Sequence, residues 1–131
     1  MKEQTKRIAI NCGGGYVPGL NAVITGVVLA ADQLKREVVG IRDGFDGLLF
    51  PERYPNGGLL KLTPHVVENL SAGTGALLGN ATRTDPFHVR QVTEENLVEE
   101  MDLSGDLLAK IAAEKIEAVI SIVGPRALSI L

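Results

Sequence analysis

Apolar positions fall into a few short blocks separated by glycine-rich, polar stretches. Arg7-Ile8-Ala9-Ile10-Asn11-Cys12 reads as a short buried strand running into Gly13-Gly14-Gly15. A helix is expected to begin near Pro18, since proline suits the first helical turn. Ala22, Val23, Val27, Val28, Ala31 and Leu34 recur at helical spacing and are expected to form its apolar face. Residues 37–41 predict a second strand. Strand, glycine turn, helix and strand in succession make a βαβ unit, with parallel strands and a right-handed crossover.

The middle of the chain is irregular. Asp43-Gly44, Asp46-Gly47 and Pro55-Asn56-Gly57-Gly58 are turn signals. Leu59 to Leu62 predicts a short strand, and Thr63-Pro64 a capped short helix through Asn69. Ser71 to Thr84 is expected to be loop around the apolar step Ala76-Leu77-Leu78. Thr93, with Asn96 three residues on and Glu94 and Glu95 between, predicts a helix start. Its apolar stripe is expected to be Leu97, Met101, Leu107, Leu108 and Ile111, interrupted at Ser104-Gly105. Ile116 to Val123 is nearly continuous in apolar residues, as a parallel strand covered on both faces would be. The fold class is therefore α/β with a small parallel sheet, and ligands of such sheets sit at the carboxyl ends of the strands.

Bulk properties narrow this picture without changing it. At 131 residues, 45% apolar and 22% charged, the chain is expected to form one soluble domain with its own core. A net charge of −3 argues against nucleic acid and acidic membrane surfaces as partners. The longest apolar segment, Ala22 to Ala31, is far short of a membrane span. A lone Cys12 permits no internal disulfide, fits a cytoplasmic location, and is read as a small buried residue. His65 and His88 show no metal spacing and are read as surface and loop residues, while the glutamates after Thr93 are read as a solvated face.

Three glycine-bearing blocks follow or lie near strand ends. The first is Gly13-Gly14-Gly15-Tyr16-Val17-Pro18-Gly19-Leu20-Asn21. Consecutive glycines allow amide N–H groups to converge on an anion, and a following helix adds its positive end. A phosphate is the natural guest, and a ligand-free strand-to-helix turn is the alternative. The spacing matches neither the dinucleotide fingerprint nor a P-loop, because Pro18 and Leu20-Asn21 stand at the defining positions. The second runs from Gly73-Thr74-Gly75 through Arg83 to Phe87; its hydroxyls and guanidinium suit phosphate, and a solvated surface loop is the competing reading. The third, Gly40-Ile41-Arg42-Asp43-Gly44-Phe45-Asp46-Gly47-Leu48, alone reads as a strand end and double turn, with Asp43 and Asp46 bonding their own backbones.

Taken in order, these blocks resemble the 6-phosphofructokinase family. Its Gly-Gly-Asp-x-Pro-Gly-x-Asn opening is matched at Gly14, Gly15, Pro18, Gly19 and Asn21. Gly40 to Leu48 fits its Gly-x-x-x-Gly-Tyr/Phe-x-Gly-Leu segment. Gly73 to Phe87 resembles its Gly-Gly-Thr-x-Leu-Gly-Thr-Ser-Arg-x-x-Pro-Phe loop, with one extra residue before Arg83. The resemblance implies a three-layer α/β sandwich with a mostly parallel sheet, as an incomplete N-terminal domain spanning 1–131. It implies ATP or pyrophosphate as phosphoryl donor, Mg²⁺ in the family and a phosphorylated small molecule as ligand; uncovered helix and strand faces are expected to favour a homo-oligomer. The positions it assigns to the donor are Gly14, Gly15, Tyr16, Phe45, Arg83, Gly124 and Arg126.

Departures from the family pattern matter equally. Tyr16 replaces the aspartate of the first loop, and the family's Gly-Gly-Asp-Gly-Ser turn reads Val123-Gly124-Pro125-Arg126-Ala127. Pro125 supplies no side-chain oxygen for a metal, and Arg126 is expected to replace part of the lost cationic charge. The family's Thr-x-Asp-x-Asp segment, with its general base, and its sugar-phosphate grip are not found in these residues. No catalytic or metal-ligating residue is therefore assigned, and the chain alone is expected to be inactive. The alternatives are a non-catalytic nucleotide- or phosphate-binding module that associates with a full-length homologue, and a Rossmann- or flavodoxin-like cofactor domain. The last is disfavoured because no acidic residue ends the second strand at Ile41.

Overall fold

The computed structural model describes residues 6–13, 19–68, 78, 86, 89–92 and 94–123. In chain order the elements are β1 (Arg7–Gly13), α1 (Leu20–Gln33), β2 (Glu37–Ile41), α2 (Asp46–Leu49), a 3-10 turn (Pro51–Arg53), β3 (Leu59–Leu62), α3 (Pro64–Val67), β4 (Val89–Val92), β5 (Val98–Met101), α4 (Ser104–Ala113) and β6 (Ile116–Val123). Four strands form one sheet in the order β3-β2-β1-β6. β1 runs parallel to both β2 and β6, whereas β3 returns antiparallel to β2. The sheet is thus mostly parallel, and residues 37–41, 59–62 and 116–123 are strands as their apolar runs predict.

Alternation along the central strands sends side chains into two cores. Ile10, Cys12 and Val38 pack with Leu20, Ile24, Val28 and Ala31 of α1 and Val67 of α3. Ala9, Val39 and Ile41, on the opposite face, pack with Leu48 and Leu49 of α2 and Leu103 and Leu107 at α4. Helices on both faces of one sheet give three layers. α2 can press close to the chain before β3 because two glycines cross there. A Cβ on Gly58 would lie 1.8 Å from the Gly47 carbonyl oxygen.

Several local expectations fail for identifiable reasons. The buried stripe of α1 is Leu20, Ile24, Val28 and Ala31, while Val23 and Leu34 are 46% and 73% exposed. Val28 and Ala31 are buried as their spacing predicts and Val27 packs beside them, while Leu20 and Ile24 complete the stripe that meets Ile10 and Val38. Asp46-Gly47 lies within the short helix α2 rather than a second turn. β4 and β5 pair antiparallel, so residues 98–101 are strand rather than part of the helix expected from Thr93. Asn96 takes a left-handed conformation, φ 61°, which breaks a helix and suits a hairpin loop. Leu97 and Met101 are exposed, so their helical spacing reflects no buried face. The helix starts only at Ser104, whose N–H donates to Asp102 Oδ1 at 2.9 Å, and Leu108 faces solvent. β6 pairs on one side only among the described residues, and Ile120 is 36% exposed, so it is not covered on both faces. Asn69, most of Ser71–Thr84 and His88 lie outside the described residues.

Candidate functional site

The carboxyl ends of β1, β2 and β6 share one rim of the sheet, because the three strands are parallel. Gly13 and Val123, their last residues, are register partners, so the segments beginning at Gly14 and Gly124 leave from adjacent strands. Just below this rim two polar side chains interrupt the apolar strands. Ser121 Oγ donates to Asn11 Oδ1 at 2.5 Å, across a register pair. Asn11 is buried, and the bond supplies the partner that a polar group out of water requires. This pair was not among the expected site residues. Its visible signal is one uncharged polar residue near the carboxyl end of each of two mostly apolar strands.

β2 ends at Ile41 and turns sharply through Arg42-Asp43-Gly44-Phe45 into α2. The turn is held from several sides. Arg42 N–H donates to Gly58 O at 3.0 Å, Gly47 N–H to Arg42 O at 2.9 Å, and Asp46 N–H to Asp43 O at 3.1 Å. Asp43 N–H reaches Leu78 O at 2.8 Å, bringing a residue of the second glycine block against the third. Leu78 is 1% exposed and sits over Gly40, where a Cβ would come within 2.3 Å of its methyl. The Asp43 carboxylate accepts a 2.9 Å bond from the Tyr54 hydroxyl, so it is turned to a distant side chain rather than only its own backbone. Burial above all, and then this carboxylate, push the Tyr54 hydroxyl up from its ordinary 10 to about 12. It remains a proton donor throughout the working pH range.

Phe45 is the one expected donor residue within the described part. It precedes α2, packs partly against the core of that face, and stays partly exposed. Gly14, Gly15, Tyr16, Arg83, Gly124 and Arg126 lie outside the described residues. A groove of about 310 Å³ opens between α2, the Asn56–Leu59 stretch and the end of α4. Lys110 lines it, but its Nζ donates to Leu49 O at 2.7 Å, closing the C-terminal end of α2. Cys12 is buried, and desolvation raises its thiol from 9.0 to about 11, which leaves it protonated and a poor nucleophile. Exposed His65 pairs with Glu68 at 3.0 Å, in keeping with a surface role. Among the described residues no three His, Cys, Asp or Glu side chains stand together as a metal site. No helix among them is long and apolar enough to cross a membrane.

The fold and its rim define a class: an α/β sheet with helices packed on both faces and three parallel strands whose carboxyl ends share one rim. Residues 7–131 match the family model Phosphofructokinase, and the chain belongs to that family. It is 50% identical over 54 residues to the ATP-dependent 6-phosphofructokinase of Chloroflexus aggregans, covering 41% of this chain and 15% of that one. It is 33% identical over 108 residues to the pyrophosphate--fructose 6-phosphate 1-phosphotransferase of Dictyoglomus thermophilum, covering 82% of this chain and 29% of the relative. The structure of phosphofructokinase from Saccharomyces cerevisiae superimposes with a TM-score of 0.62 at 24% identity, over 88% of this chain and 13% of that one. That likeness concerns the fold. The chain spans less than a third of the length of these relatives.

Proposed function

We propose that this chain forms the phosphoryl-donor side of a phosphofructokinase-type site and grips the terminal phosphates of ATP or pyrophosphate. The observation that carries the proposal is the shared rim. β1 and β6 end in register at Gly13 and Val123, and Leu78 is bonded to the turn that carries Phe45. In this reading the amides of Gly14, Gly15 and Gly124 line the phosphates, and Tyr16 takes the place of the family aspartate. Arg83 and Arg126 supply positive charge, and Phe45 lies beside the donor. The reaction served is transfer of a phosphoryl group to fructose 6-phosphate, a cytoplasmic, glycolytic step. Phosphoryl transfer is governed by in-line positioning and charge neutralisation. The residues here address the donor only, so the chain alone turns nothing over.

Mg²⁺ would normally neutralise donor charge. Pro125 offers no oxygen where the family has its aspartate, and no carboxylate cluster stands elsewhere among the described residues. No step is therefore assigned to a metal, and donor binding is expected to be nearly independent of Mg²⁺. Calorimetry with pyrophosphate, ATP and NAD, each with and without Mg²⁺, tests this. Binding of either phosphate donor, weakened about tenfold in Arg83→Ala and in Arg126→Ala, supports the reading. Absence of heat with both donors overturns it. An unchanged affinity in Arg126→Ala removes that residue from the site. Light scattering on the same samples measures the expected self-association.

A further inference from the structure

Asp43 and Tyr54 form a contact that the family pattern of glycines does not account for. Asp43 uses three groups in three directions. Its N–H donates to Leu78 O at 2.8 Å, its carbonyl accepts from Asp46 N–H at 3.1 Å, and its carboxylate accepts from the Tyr54 hydroxyl at 2.9 Å. It does so at φ 51°, a left-handed conformation that aspartate tolerates better than most residues with a side chain. Tyr54 belongs to neither apolar core and follows the 3-10 turn, eleven residues along the chain. Its ring is partly exposed, and its hydroxyl is what reaches the strand end. Three separate segments therefore meet at one aspartate, immediately before Gly44 and Phe45.

We propose that the Asp43–Tyr54 hydrogen bond is a clasp that holds the turn after β2 in its binding geometry, making Tyr54 a positioning residue for the phosphoryl donor. The proposal rests on the donor-binding reading above. With the hydroxyl gone, the Asp43 carboxylate is able to rotate toward its own backbone or water, and the turn keeps only its main-chain ties. An aspartate in this conformation, with its N–H on one segment and its side chain on another, transmits that loosening to both Leu78 and Phe45.

Hydrogen exchange of the free chain and calorimetry with pyrophosphate, on the unaltered protein, Tyr54→Phe and Asp43→Asn, separate the possibilities. In Tyr54→Phe, amides 43–48 are expected to exchange faster and pyrophosphate to bind about fivefold more weakly, the effect of one lost hydrogen bond. Far-ultraviolet circular dichroism should stay unchanged. Asp43→Asn keeps an oxygen for the same hydroxyl and tolerates the same φ, so it should retain affinity within about twofold. Unchanged exchange in Tyr54→Phe refutes the clasp itself. Faster exchange with unaltered affinity refutes its positioning role. Equal losses in both variants, with exchange altered only in Tyr54→Phe, assign the effect to carboxylate charge and refute the proposal. If the unaltered chain binds no pyrophosphate, the same titrations are made with ATP; if it binds neither, the donor reading fails and the positioning role with it, while exchange still decides whether the clasp exists.

Discussion

Cys12 sits at the end of β1, directly before the glycine run, where an exposed thiol would be a natural nucleophile. Its position under α1 settles the matter, because at 1% exposure the thiolate has no solvent to stabilise it. Burial raises the thiol from 9.0 to about 11. The folded chain then holds the proton more tightly than the unfolded chain, so this contribution to stability is complete below pH 9 and is lost as pH rises toward 11. A shift of this size corresponds to about 2–3 kcal/mol. Urea unfolding across pH 7 to pH 11 should show a decline beginning above pH 9, and Cys12→Ala should remove that part of it. Native Cys12 should resist alkylation at neutral pH and react after unfolding. Tyr54, raised to about 12, contributes with the same sign in a later window, between pH 10 and pH 12.

At the scale of elements, α1 owes its place to one buried stripe, Leu20, Ile24, Val28 and Ala31, spaced for contact with β1 and β2. Gly26 lies on its exposed side, and a Cβ built there meets nothing within 4 Å. Gly26→Ala should therefore stabilise the chain by about 0.5–1 kcal/mol, through reduced entropy of the unfolded state, as a shifted urea midpoint would show. Destabilisation would mean that this face of α1 is covered. The β4–β5 pair shows the opposite balance. Glu94, Glu95, Glu99 and Glu100 are compatible with a helix, yet Val89, Val92 and Val98 favour strands, and Asn96 supplies the left-handed residue of the loop. Buried Val89 and the bond from Leu103 N–H to Pro86 O at 2.7 Å tie this region to the α4 core. A helical pattern scored along the sequence does not register such ties.

Across the whole molecule, the sheet is joined at its amino ends by Arg7. Its guanidinium meets Glu114 Oε2 at 2.6 Å and Glu114 O at 2.9 Å, linking β1 to the turn before β6. Both side chains are partly exposed, at 23% and 43%, so the pair is screened by water and salt. Glu114→Gln should cost no more than about 1 kcal/mol in low salt, and the cost should shrink in about 1 M sodium chloride. This join lies at the end of the parallel strands opposite the rim proposed to bind phosphate. Stability and binding are therefore expected to respond to different substitutions.

The strands β1, β2, β3 and β6 were legible in the order of residues, because short runs of β-branched and apolar side chains carry their own local preference. The order and spacing of the glycine blocks likewise pointed to the phosphofructokinase family, whose model matches residues 7–131. Contacts decided the rest. Leu20 and Ile24 completed the stripe of α1 that meets the sheet, Asn96 and the α4 core put strand β5 where a helix was expected, and Tyr54 joined Asp43 from another segment. Burial and side-chain pairing join residues far apart in the chain, and periodicity along the chain carries no term for them.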